Sequence, residues 1–158
     1  MTTTEILSAE REIHRALIRV ARAMDERDWQ SLEAIMTEDM TADLGTGHIA
    51  GRAAVVVCLR SFLDDCGPTQ HLLGNVLIDV TNDRAISKAY VSDLHLGCNE
   101  KSALTFKTLG DYHDQWQKRD GTWRMSHRTK INHGYVGSLE VLGSGPRGKR
   151  GPGETNNA

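Results

Sequence analysis

The sequence predicts an α+β fold: three N-terminal helices packed on one face of a curved antiparallel sheet. Three observations carry this. Apolar residues recur with helical spacing in the stretches before Asp65. From Gln70 onward, four long segments read as strands. Asn82-Asp83 and Asp120-Gly121 are tight-turn signals between paired strands. Helices first and a meander afterwards is the order of an α+β domain.

The first helix is expected over residues 5–27. Ile13, Leu17, Val20 and Met24 recur at spacings of four, three and four, which makes one helical face, and Ile18, Ala21 and Asp25 form the adjoining stripe. Asp25 thus stands at the border of the buried face, near the C-terminal end. The helix dipole favours cations there, so a carboxylate has a local cost. Asp28 can cap a second short helix with Trp29, Leu32, Ile35 and Met36 facing inward. Met40 to Leu44 reads as a short strand, and Gly45-Thr46-Gly47 turns the chain. A third helix runs from Gly51 to about Asp65, stopped by Gly67-Pro68.

The four strands are expected at 70–81, 84–97, 103–118 and 122–134, with a polar loop at 99–102. In the first of them both faces are apolar, Leu73 and Leu77 on one, Val76, Ile78 and Val80 on the other. A sheet with one wet face should alternate cleanly. This predicts a second layer, a homodimer or homotrimer joined through the sheet. Residues 1–142 are read as one domain. Residues 143–158, with five glycines and two prolines, are read as a disordered tail whose composition cannot bury a core.

Composition narrows the function. A chain of 158 residues can bury a core without a disulfide or metal staple. Nineteen basic against 21 acidic residues argue against a nucleic-acid surface. Cys58 and Cys66 share a helix, eight residues and about 12 Å apart along its axis, beyond disulfide reach. Reduced thiols and the absence of a signal-like N-terminus or an apolar run of about 20 residues predict a cytoplasmic protein with no membrane partner.

The informative residues are Asp25, ending an apolar helix, and His71, opening an apolar strand. Between helix and sheet such a carboxylate can orient an imidazole and stabilise its charged form, leaving a base for use near neutral pH. By period two His71 shares its face with Leu73, Asn75 and Leu77, so Leu73 and Asn75 become candidate substrate contacts. His95 shares a face with Ala85, Ser87, Ala89, Val91 and Asp93, whose small members leave room for a ligand. It is a candidate second acid or donor. Tyr112 is a candidate phenol donor. Asp25, His71 and His95 could compose a 2-His-1-carboxylate metal set, but no helical His-x-x-x-His supports one, and no metal is expected. With no Gly-x-Ser-x-Gly and no glycine-rich phosphate loop, neither a serine nucleophile nor a nucleotide cofactor is expected.

Several stretches together resemble the nuclear transport factor 2-like superfamily, in its SnoaL-like and scytalone dehydratase-like branch. They are Ala23-Met-Asp-Glu-Arg-Asp-Trp29, Gly51-Arg-Ala-Ala54, His71-Leu-Leu-Gly-Asn75, Gly110-Asp-Tyr112 and Arg119-Asp-Gly-Thr-Trp-Arg124. The resemblance also extends to gamma-hexachlorocyclohexane dehydrochlorinase, through Ile131-Asn132-His133. It implies a cone-shaped α+β domain and, in the catalytic members, a working dyad at the positions of Asp25 and His71, with His95 resembling a second pocket histidine. Met24 stands where some dehydratases carry a tyrosine. The expectation is a cofactor-independent lyase, a dehydratase of a small cyclic or aromatic hydroxylated compound. His71 would take the proton, and His95, Tyr112 or Asn132 would help the leaving group. An isomerase or cyclase would use the same dyad. A non-catalytic dioxygenase subunit or ligand-binding module is the other class.

Overall fold

The computed structural model describes residues 1–145. α1 (Thr3–Glu26) opens on a capping box in which Thr2 and Glu5 satisfy each other's backbone N–H. α2 (Trp29–Ile35) is capped by Asp28, which accepts from the Ser31 N–H at 3.0 Å. β1 (Met36–Asp43) follows without a loop, then β2 (His48–Ala50), α3 (Arg52–Leu63) and four long strands. These are β3 (Thr69–Thr81), β4 (Arg84–Leu96), β5 (Thr105–Arg119) and β6 (Thr122–Gly137). Short 3-10 turns lie at Asn99–Lys101 and Leu139–Val141.

The result is the expected α+β architecture of three helices and a curved, unclosed sheet, with two differences. The sheet has six strands in the order β2-β1-β6-β5-β4-β3, and it is mixed rather than antiparallel. β1 pairs in parallel with β6, Ala42 opposite Arg128. No turn signal announces that pairing, because the partners lie far apart in the chain. The core fills the space between helices and sheet, from Ile13, Leu17, Val20 and Met24 of α1 to Trp116 and Met125 of the sheet.

The second difference is a bulge in β3. Gly74 lies opposite Tyr90 and Leu77 opposite Lys88, so Asn75 and Val76 together face Ala89. Asn75 adopts a left-handed φ of 49°, which asparagine tolerates better than most residues. The extra residue reverses the faces of the strand. His71 and Leu73 point inward before it, and Val76, Ile78 and Val80 after it. Leu77 points outward and is 67% exposed. The apolar residues of β3 therefore serve mostly one face, interrupted, and the second layer inferred from two apolar faces loses that ground.

At the C-terminus, Gly143 and Gly145 donate backbone bonds to Phe62 and Ser61 of α3 at 2.9 and 3.3 Å. The domain thus extends past residue 142, the expected boundary. The rest of the expected tail, 146–158, lies outside the described residues.

Candidate active site

A cavity of about 270 Å³ opens between the helices and the inner face of the sheet. Its walls are mainly apolar, with Met40, Leu44, Leu59, Phe62 and Leu142 among them. Its polar groups are His71, Asp93, His95, Thr108, Tyr112, Arg128, Lys130, Asn132 and Thr46. An apolar cavity with a few convergent polar groups is the usual form of a small-molecule site.

The end of α1 and the start of β3 bring Asp25 to His71. The His71 ring Nδ1 lies 2.6 Å from Asp25 Oδ1, and the His71 backbone N–H donates to Oδ2 at 3.0 Å. Thr69 adds a bond from its hydroxyl to Oδ1 at 2.9 Å. Burial works against the charge on Asp25, but the bonds from His71 and Thr69 outweigh it and hold the carboxyl below its usual range. A carboxylate at Nδ1 makes that nitrogen the proton donor and leaves the Nε2 lone pair for the cavity. Asp25 itself does not line the cavity; it stands behind the ring.

The cost of a carboxylate at a helix C-terminus is met two residues on. Arg27 ends α1 in the left-handed conformation, φ 58°. Its guanidinium donates to the carbonyls of Met24, Asp25, Gly67 and Leu63 and, at 2.9 Å, to Thr69 Oγ1. A cation thus covers the negative end of the helix and holds the threonine that holds Asp25.

On the far side of the imidazole is Asp93 of β4, which the sequence reading did not single out. Its Oδ2 is 3.9 Å from His71 Nε2. The carboxylate is buried, accepts from the backbone and hydroxyl of Thr108, and forms an ion pair at 2.5 Å with Lys130 of β6. Burial would raise its pKa, but Lys130 and Thr108 bring it down to about 2. Lys130 and Arg128 were also not anticipated. Arg128 makes a two-pronged bond to Asp114, both contacts at 2.8 Å, and lies 3.9 Å over the Tyr112 ring. The available signal was the period-two run Arg128, Lys130, Asn132, which puts three polar side chains on one face of a central strand.

The other expected site residues divide. His95 is in the cavity, its ring 5.5 Å from that of His71, and its Nδ1 donates to the Phe106 carbonyl at 3.3 Å. Burial outweighs the pull of Asp93 and lowers its pKa to about 4. With Nδ1 donating to Phe106, the neutral ring presents Nε2 as an acceptor. Tyr112 and Asn132 line the cavity; burial raises the Tyr112 pKa and keeps its phenol protonated. Asn132 Oδ1 and Thr46 Oγ1 are buried without a hydrogen-bond partner. Asn75 and Leu73 are not among the lining residues. The bulge breaks the period that placed Asn75 on the His71 face, and Leu73 packs against the core instead.

Among the described residues one group could hold a metal ion: His71, Asp93 and His95, with ligating atoms within 4.8 Å of one another. It differs from the expected set, because Asp25 binds the opposite edge of the His71 ring. A cation here would have to displace the Lys130 ammonium from Asp93.

The chain has counterparts of known structure. A scytalone dehydratase candidate from Novosphingobium aromaticivorans is 24% identical, with 96% of this chain and 100% of that one covered and a TM-score of 0.75. The hexachlorocyclohexane dehydrochlorinase LinA, type 2, is 17% identical over 93% of this chain and 96% of that one, also at a TM-score of 0.75. A dehydratase candidate of the NTF2-like family from Streptomyces avermitilis is 15% identical over 78% and 95%, at 0.71. At these identities the likeness establishes the fold. No curated protein matches the sequence. The family model of the SnoaL-like domain matches residues 5–129, and the chain belongs to that family.

Proposed function

We propose that this chain is a cofactor-independent lyase that removes a proton from carbon and expels a β-substituent from a small cyclic or aromatic hydroxylated compound. The observation that carries this reading is the Asp25–His71 contact, with Nε2 directed to an apolar cavity. His71 takes the proton at Nε2. Asp25 holds the tautomer and stabilises the imidazolium, and Asp93, 3.9 Å from Nε2, adds a second negative charge beside it. The Tyr112 phenol is the neutral donor within the cavity. The dehydratase and dehydrochlorinase names carried by the structural counterparts support the same class.

An isomerase shares the first step and differs in returning the proton to another carbon. The test is a screen of hydroxylated cyclic and aromatic compounds for elimination products. With a substrate in hand, His71→Ala should lower kcat by at least about 10² while circular dichroism stays unchanged. Asp25→Asn should lower kcat far more than it raises KM, because it removes the charge that balances imidazolium. Retention of most activity by His71→Ala would falsify the reading.

A further inference from the structure

Neighbouring positions of β3 and β4 gather three acceptors at one point. His71 stands directly opposite Asp93 in the ladder, and His95 follows Asp93 by two residues, on the same face. All three residues are buried. Each imidazole is held at its other nitrogen. His71 Nδ1 donates to Asp25 at 2.6 Å, and His95 Nδ1 donates to the Phe106 carbonyl at 3.3 Å. Both rings therefore present the Nε2 lone pair. Asp93 adds a carboxylate oxygen 3.9 Å from His71 Nε2. One ligating atom from each residue lies within 4.8 Å of the other two.

Acceptors this close repel one another unless a donor or a cation stands between them. Among the described residues the donor is the Lys130 ammonium, which reaches Asp93 Oδ2 at 2.5 Å and bonds to neither imidazole. The other cations nearby are engaged elsewhere. Arg128 is bound to Asp114. Arg27 lies behind Asp25, on four carbonyls and Thr69. With Asp25 and Asp93 negative and Arg27 and Lys130 positive, the charges balance around uncharged histidines.

Two imidazole nitrogens and one carboxylate oxygen suit a borderline divalent ion such as Zn2+, whereas Mg2+ and Ca2+ favour oxygen alone. A carboxylate behind the outer nitrogen, as Asp25 stands behind His71, orients a ligating ring and raises its basicity. Ligands about 2.1 Å from a tetrahedral ion lie about 3.4 Å from one another. His71 and Asp93 would close by about 0.5 Å to meet that geometry. We propose that His71, Asp93 and His95 form an inhibitory Zn2+ site, in which the ion takes the Nε2 lone pair of His71 and draws Asp93 away from Lys130. Only coordinate bonds form, and the displaced ammonium keeps its proton. Binding is independent of what the chain turns over. Its inhibitory effect rests on the reading of His71 as the base, because a lone pair held by a metal ion cannot accept a proton.

Lys130 and the ion compete for one oxygen, and their charges repel. Removing the amine should therefore tighten binding, while removing a ligand should weaken it. The test is calorimetric titration of the full chain with zinc chloride near neutral pH, with magnesium chloride as the control. The intact chain should bind one Zn2+ and no Mg2+. Lys130→Met should bind Zn2+ at least about tenfold more tightly, and Asp93→Asn and His95→Asn at least about tenfold more weakly. His95→Asn keeps an amide N–H for the Phe106 carbonyl and removes Nε2, so it carries the test alone if Asp93→Asn does not fold. The double variant His71→Ala/His95→Asn should not bind. Co2+ in place of Zn2+ should show no sulfur charge-transfer band, which separates this site from Cys66 and Cys98. An intact chain that does not bind Zn2+ overturns the site, even if Lys130→Met binds it. Binding that survives the double variant, or that carries the sulfur band, overturns it as well. With a substrate in hand, saturating Zn2+ should stop turnover. Turnover that continues with the ion bound overturns the inhibition and counts against His71 as the base, while the metal site stands.

Discussion

Two histidines in this cavity sit under opposite constraints. His71 has a carboxylate at each edge of its ring, Asp25 at 2.6 Å and Asp93 at 3.9 Å. His95 has a backbone carbonyl on one nitrogen and is held to a pKa of about 4, against an ordinary 6.5. Between those two values the unfolded chain binds a proton that the folded chain refuses, so His95 makes stability fall as pH drops through that window. Replacing it should flatten the dependence. The melting temperature of His95→Asn should drop less between about pH 7 and pH 5 than that of the unmodified chain, and equal drops would contradict the assignment. Asp25 and His71 were legible in the sequence because each interrupts an apolar pattern at its end. Asp93 and Lys130 were not. Lys130 alone, on an alternating strand, reads as a solvated residue; Asp93 fell on the His95 face but carried no role, and only the sheet brings positions 37 apart into an ion pair.

Among the elements, β3 decides what faces the cavity. Its ends were legible to within a residue or two from composition and turn signals. Its register was not, because Gly74-Asn75 carries no mark that separates a bulge from a regular pleat. A one-residue change of register sends a whole side-chain set to the other face. Inserting one residue between Val76 and Leu77 should therefore turn Ile78 and Val80 outward and Asp79 inward, and cost far more than any substitution at Asn75. Asn75→Val should cost about 1–2 kcal/mol from its left-handed backbone, and Asn75→Gly should be close to neutral. Urea unfolding of the three variants checks the order. The end of α1 shows the reverse case. The stretch that placed Asp25 also contains Arg27, whose role emerges only when Gly67 and Thr69 come within its reach.

For the molecule as a whole, helix number and the order of helices and long strands followed from periodicity and turns, whereas the three-residue β2 was not expected. The parallel pairing of β1 with β6 did not, since no local signal links segments so far apart. The outer face of the sheet bears Leu72 and Leu109 in one register row and Tyr90 and Ile131 in the next. All four are exposed, Tyr90 at 60%. Lys88 and Asp111 stand among them with opposite charges, as a surface that meets its own copy requires. Apolar patches of this kind mark contact surfaces. We propose that this face joins a second copy of the chain, in a dimer or trimer. Light scattering at micromolar concentration should give a multiple of the 17.5 kDa chain mass, and Leu109→Lys should lower it to one; a monomeric unmodified chain contradicts the proposal. The Asp25–His71 contact has a further consequence. It joins residues 46 apart through both side chain and backbone, and so is itself a rivet between helix and sheet. The pair exists only while α1 is seated on β3. Under the proposed mechanism, loosening of that seat would silence turnover before helix or strand content changed, so activity would sense tertiary docking more finely than any measure of secondary structure.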